Sequence, residues 1–335
     1  MTPRLSAIGL LIMLVMVACD KNEQPTSGGR AYEVLVTGSD YQAVGAVMVL
    51  LRSIQAEALP QREAAFDVSS IVADELSQGT RYSRNLVIVT TDSVMLPQTR
   101  VVAGSDVFAH PQTVVSVMAP SYGRLMADLP RLRQQLIDEL TRGEMNHAIK
   151  NLRQHHDDRA SQLVDSLFGC RLWVPEDLRK AAMGQDFLWM TDNGATSMQS
   201  ICVYRVAFDS LLTPRPTLDA RWMLDVHDSV MKRNLPTESG DSPSSLQGEE
   251  RPYMELVRQT VTFRHQSGGA SPAIVGGRGL WQMVGTEMGG PFVSLWRQVG
   301  DSVLGVTAFV YAPGKSKRNL MRRLEASLYT LKLDN

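Results

Sequence analysis

The feature that most constrains the fold is one long apolar stripe at helical spacing, set between runs of β-forming residues. Leu125, Leu129, Leu132, Leu136 and Leu140 step along one helical face. The pattern resumes at Met145, Ile149, Leu152, His156, Ala160, Leu163 and Leu167. Pro130 and Gly143 are expected to kink or divide it, and Gly169 is placed to cap its C-terminus. Before it lie three β-rich runs, 32–37 (YEVLVT), 85–90 (NLVIVT) and 113–118 (TVVSVM), with a helix expected over 44–58. After it, strands are expected at 187–190, 201–208, 261–265, 280–284, 292–299 and 303–311, with helices over 217–234 and 316–331. Strands outnumber helices and come in runs. That order predicts an α+β fold in two domains with largely antiparallel sheets and packed helices, rather than a doubly wound parallel sheet.

The first 19 residues stand apart from this pattern. Arg4 precedes an apolar run from Ala7 to Val17, too short to span a bilayer and shaped like a secretory signal. Met16-Val17-Ala18-Cys19 resembles the lipobox of bacterial lipoproteins. That resemblance implies cleavage before Cys19 and lipidation of its sulfur and new amine, with palmitate-type acyl chains holding the protein on a membrane. The polar stretch that follows, with its Pro, Gly and Ser, reads as a tether. The expected organisation is therefore a signal peptide at 1–18, a lipidated tether at 19–31, an N-terminal α+β domain at 32–169 and a C-terminal α+β domain at 170–335. The expected location is the cell envelope, anchored to a membrane and facing the periplasm or cell surface.

Charge narrows the partners. With 34 Lys and Arg against 35 Asp and Glu, the chain has no basic excess, and nucleic acid is not expected as a partner. Removing the signal takes away Arg4 and no acid, which leaves a net charge of −2. Besides the membrane, envelope proteins or anionic headgroups are the partners such a chain suggests. If Cys19 carries lipid, Cys170 and Cys202 remain. A disulfide between them is chemically allowed in an oxidising compartment, although two buried thiols are the favoured reading.

Several stretches resemble the DUF4837 family of Bacteroidota lipoproteins, a domain of unknown function. They are 278–283 (RGLWQM), 288–294 (MGGPFVS), 309–315 (FVYAPGK) with 317–319, and 324–331 (LEASLYTL), joined by 32–36 and 186–189. The resemblance implies the lipoprotein address and transfers no catalytic residue. The order of elements in the second half also resembles a Mog1/PsbP-like sandwich, which implies architecture alone.

No catalytic motif is present. The densest polar group is Glu144, His147, His155 and His156. Glu144 and His147, three residues apart on a helix, could share a metal; His147 and His155, two turns apart, could not. Solvated or hydrogen-bonded side chains are the favoured reading, and no metal or other cofactor is expected. The glycines at 276, 277, 279, 285, 289 and 290 read as turns and bulges, because no Lys-Ser/Thr follows them as in a phosphate loop. What remains is a surface formed by Arg278, Trp281, Phe292, Lys315, Lys317 and Arg318. Basic residues at the start of the last helix oppose its dipole, which would suit an anion or acidic partner, although a solvated basic face over the stripe Leu320, Leu324, Leu328 and Leu331 is the favoured reading. The leading expectation is a non-enzymatic binding or assembly module. The alternatives are a metal-dependent hydrolase acting on an envelope polymer, built on the Glu144 group, and a small-ligand or lipid carrier with a cavity beneath Trp281 and Phe292.

Overall fold

The computed structural model describes residues 24–194, 196–207, 218–235, 251–266 and 274–333. Cys19, the signal segment, the start of the tether and most of the loop 236–252 lie outside them. The chain divides into two compact units. The first runs to Ile54 and resumes over Ala64–Glu144; the second takes Gln55–Glu63 and everything from Met145 onward.

The first unit is a five-stranded sheet with strands β1 (Glu33–Gly38), β2 (Asp67–Val72), β3 (Asn85–Thr91), β4 (Arg100–Ser105) and β5 (Thr113–Ala119), in the order β2-β1-β3-β5-β4. Here the pairing departs from the antiparallel expectation: β1 is parallel to β2 and β3, β3 is parallel to β5, and only β4 is antiparallel. All seven residues of β5 are buried, Thr113 and Ser116 included, as expected for a strand covered on both faces. Helix α1 (Tyr41–Arg52) begins where the Asp40 carboxylate accepts from the amides of Gln42 and Ala43. Its Ala43, Val44, Val47 and Leu51 join Val34, Val36, Val87 and Val117 in one core. A single turn, α2 (Gln78–Arg81), precedes β3.

Helix α3 (Tyr122–Gln154) runs unbroken through both Pro130 and Gly143. Pro130 removes one backbone donor, yet Leu125, Leu129, Leu132, Leu136 and Leu140 are buried on both sides of it. Burial at ~1.5–3 kcal/mol per leucine outweighs that loss. Gly143 lets the helix approach β5, since a Cβ there would lie 2.1 Å from Thr113 Oγ1. Part of the segment 19–31, expected to be a tether, is held against the first unit. Pro25 accepts from the His110 amide, and the Ser27 and Gly28 amides donate to the carbonyls of His110 and Tyr82, so this segment is hydrogen-bonded to the unit.

The second unit centres on an eight-stranded antiparallel sheet. Its strands are β7 (Lys180–Gly184), β8 (Phe187–Thr191), β9 (Met198–Ala207), β10 (Tyr253–Leu256), β11 (Thr262–Gln266), β12 (Ile274–Val284), β13 (Gly289–Val299) and β14 (Ser302–Tyr311). The order is β10-β12-β13-β14-β9-β8-β7, with β11 also paired to β12. The helices are α4 (Asp158–Phe168), α5 (Ala220–Asn234) and α6 (Arg318–Leu328). Strand alternation sorts the core in two. Leu188, Met190, Ile201, Val203, Leu304 and Val306 pack with Val164 and Phe168 of α4 and Met321, Leu324 and Leu328 of α6. Phe187, Cys202, Tyr204, Trp296 and Phe309 pack with Met223 and Met231 of α5. A small ladder of β6 (Cys170–Arg171) with β15 (Lys332–Leu333) completes the unit. The whole chain is an α+β fold with mostly antiparallel pairing.

The stripe is two helices, not one. Asp157 caps α4, and Gly169 ends it in the left-handed conformation with φ 60°. Because Val164 and Phe168 belong to the second core, that unit begins well before the boundary at 169/170 that the sequence suggests.

Candidate functional site

The glycines of β12 shape a groove. Of the six glycines expected in turns or bulges, those at 276, 277 and 279 lie inside β12 and those at 289 and 290 inside β13; only Gly285 sits in the turn between them, with φ 89°. Pairing sets Thr262 beside Arg278 beside Val293, and Arg264 beside Gly276 beside Leu295. These six residues therefore share a face. A Cβ on Gly276 would meet only the Arg264 carbonyl, at 3.9 Å, so the space above it is open. That space is a groove of about 270 Å³, bounded on its other side by Glu325, Leu328 and Tyr329 at the end of α6. The floor is glycine and aliphatic; the rim is charged.

The rim is held by a buried carboxylate. Arg278 Nη2 donates to Glu325 Oε1 at 2.7 Å, Arg322 Nη1 donates to Oε2 at 2.9 Å, and the Tyr329 hydroxyl donates to Oε1 at 3.2 Å. Glu325 is 5% exposed. Burial first, then the neighbouring Glu325 charge, pushes the Tyr329 hydroxyl above its ordinary pKa, so it stays a donor. Arg278 has a second partner: its Nη1 lies 3.2 Å from Glu57 Oε2, and Arg264 Nη2 lies 3.3 Å from the same carboxylate. Glu57 comes from the segment Gln55–Glu63, which belongs to this unit.

The expected binding surface is largely interior. Trp281 and Phe292 are each 1% exposed. Trp281 stacks edge-on against Phe309 and donates from its indole to the Val310 carbonyl, and Phe292 packs on His227. Residues 278 and 281 differ by an odd number along one strand, so their side chains leave on opposite faces. The cavity touching Phe292 holds about 20 Å³, room for about one water rather than a lipid. At the start of α6, Lys317 and Arg318 are buried rather than solvated, and the anion there is internal. Glu63 accepts from the amides of Lys317 and Arg318 at 2.8 and 3.0 Å and from the Ser316 hydroxyl. Burial raises the pKa of Glu63, but these donors and the Lys317 charge outweigh it, and the carboxyl lies below the usual range. Arg323 is paired with Asp177. Lys315, still exposed, reaches Thr196.

The Glu144 group does not form a metal centre. Glu144 accepts from Arg84 Nε and Nη2, each at 2.9 Å, and from Asn85 Nδ2 at 2.6 Å, which fills its carboxylate within the first unit. His156 lies in the break between α3 and α4, with Nδ1 2.9 Å from the Leu152 carbonyl, Nε2 3.2 Å from Asp158 and its ring against Trp173. His155 is exposed, whereas His147 is buried in the second unit. Among the described residues no three His, Cys, Asp or Glu side chains gather as metal ligands. Cys170 and Cys202 lie one in each of the two cores of the second unit, and no disulfide joins them. Burial pushes the Cys202 thiol well above its ordinary pKa, so it stays un-ionised.

One histidine escaped notice because a helical pattern reads it as core. His227 on α5 is fully buried. Its Nδ1 lies 3.4 Å from Asp228, which also accepts from the Leu256 amide and from Arg258. Its Nε2 has no hydrogen-bond partner among the described residues. Burial lowers its pKa below 6.5 against the opposing pull of Asp228. The unfolded chain therefore binds this proton more readily than the folded one. The stabilisation is complete above pH 6.5 and is lost as pH falls from there through the depressed folded pKa. Urea titrations of the full chain between pH 7 and 5.5 should show stability falling by up to about 1.4 kcal/mol per pH unit from this group. His227→Leu should flatten that slope; an unchanged slope contradicts the assignment.

The family model described as a domain of unknown function (DUF4837) matches residues 157–330, just over half of the chain. The chain belongs to that family. A second model, also described as a domain of unknown function (DUF8532), matches residues 27–153. No curated protein matches the sequence. The DUF4837 match contains every residue that lines the groove; Glu57, which touches two of its arginines, lies outside the match.

Proposed function

We propose that the chain is a non-enzymatic binding protein of the bacterial cell envelope, anchored by lipid on Cys19, whose second unit binds a small ligand in the groove over Gly276. The observation that carries this reading is the groove itself. It is an open space of about 270 Å³ with an aliphatic floor, and its convergent polar groups are fixed by a buried carboxylate. A concave space with a few convergent polar groups is where a small ligand is expected to bind. The hydrolase reading loses its support, because Glu144 is saturated by Arg84 and Asn85. The carrier reading in its original form loses its cavity, because Trp281 and Phe292 are packed core.

Ligand-observed NMR of the full chain against a fragment mixture tests the binding role. Fragments that bind the wild type should be lost on Gly276→Leu, which fills open space and needs no backbone change; fragments retained by that variant contradict the reading. The anchor has its own test. The lipobox-like Met16-Val17-Ala18-Cys19 assigns membrane retention to lipid, each buried methylene contributing ~0.8 kcal/mol. Labelling bacterial cells that express the chain with an alkynyl palmitate should mark the wild type and fail to mark Cys19→Ala, which should move to the soluble fraction. Label retained on Cys19→Ala contradicts the assignment.

A further inference from the structure

Resting on the reading of the groove as a binding site, we infer that its ligand is a carboxylate with an apolar body, and that Glu57 stands in the position the ligand carboxylate takes. Two guanidinium groups converge on one carboxylate at the rim. Arg264 Nη2 is 3.3 Å from both oxygens of Glu57, and Arg278 Nη1 is 3.2 Å from one of them.

The two sides of this contact differ in how firmly they are held. Arg278 is mostly buried, and its other nitrogen is fixed on Glu325 at 2.7 Å, so the guanidinium is pre-organised. The Glu57 side chain is 54% exposed and sits beside Ala58, which adopts a left-handed backbone with φ 55°. Its contacts are longer than that between Arg278 and Glu325, and exposed pairs of this kind are weak. Exchange of Glu57 for an incoming carboxylate therefore costs little.

Charge and shape favour a monocarboxylate. Arg264, Arg278 and Arg322 against Glu57 and Glu325 leave one positive charge, which a single ligand carboxylate neutralises. Behind the arginines the groove offers Val293, Leu295 and Leu328 around the bare backbone of Gly276, a surface for an apolar body. In this arrangement Glu57 acts as an internal competitor, and its removal should improve binding, an effect that a loss of folding cannot mimic.

Calorimetric titration of the full chain with 3-phenylpropionate and with its neutral amide tests the inference. The acid should bind the wild type at least about tenfold more tightly than the amide, the discrimination expected of a charge-assisted pair. Glu57→Gln should tighten the acid about fivefold, and Gly276→Leu should abolish binding of both probes. Equal affinity for acid and amide, with both lost in Gly276→Leu, overturns the carboxylate inference and leaves the groove reading standing. Acid binding unchanged by either substitution overturns both. Failure of the acid to bind either the wild type or Glu57→Gln overturns the inference.

Discussion

Glu144→Ala is expected to destabilise the first unit by about 3–5 kcal/mol, the cost of leaving one partner of a buried ion pair uncompensated. Glu144 is 2% exposed and takes both donors of Arg84 together with the Asn85 amide, which also donates to the Glu33 carbonyl on β1. The carboxylate thus ties α3 to β3 at the point where β3 enters the sheet. Removing it strands the Arg84 guanidinium, whose side chain is 19% exposed. Glu144→Gln should also be costly, because its amide nitrogen would face a donor. Replacing the pair together, Arg84→Met with Glu144→Leu, should recover most of the loss. Hydrogen exchange across β1 and β3 in the full chain reads the effect. A single variant that exchanges like the wild type contradicts the structural role.

Glu325→Ala should have a similar effect on the second unit, again about 3–5 kcal/mol. One buried carboxylate serves Arg278, Arg322 and the Tyr329 hydroxyl, and both guanidinium groups are themselves mostly shielded from water. Glu325→Gln keeps an acceptor but loses the charge, so it should lie between the wild type and alanine. Urea unfolding reads the stability. Binding of a groove fragment by Glu325→Gln, measured under folded conditions, should weaken because Arg278 is no longer fixed. Full stability in Glu325→Ala would mean that the network is peripheral.

The parts of the fold legible in the sequence are those where one periodicity dominates. Strands β8, β9, β13 and β14 are dominated by apolar and aromatic residues, and α6 shows Met321, Leu324 and Leu328 on one face. Strand β7, Lys180–Gly184, is exposed along its whole length at the sheet edge, so no burial pattern marks it. The parallel order of the first sheet is likewise absent from the pattern, because buried strands read alike whichever way their neighbours run.

The candidate site was half legible for the same reasons. Proximity in sequence groups Trp281 and Phe292 with Arg278, although strand alternation places 278 and 281 on opposite faces. The carboxylates Glu57 and Glu63 were out of reach. They arrive from a short segment more than 200 positions before their partners, and nothing local in 55–63 announces it. The basic start of α6 opposes the helix dipole, which either a solvated face or an anion could satisfy. The answer was a residue of the chain itself.

The most direct test of the account is methyl NMR of the full chain titrated with a bound fragment. Shifts should concentrate on the methyls of Val293, Leu295 and Leu328 around Gly276, while those of Val34, Val36 and Leu140 in the first unit stay in place. Shifts centred on the first unit, with the groove methyls unmoved, would contradict it.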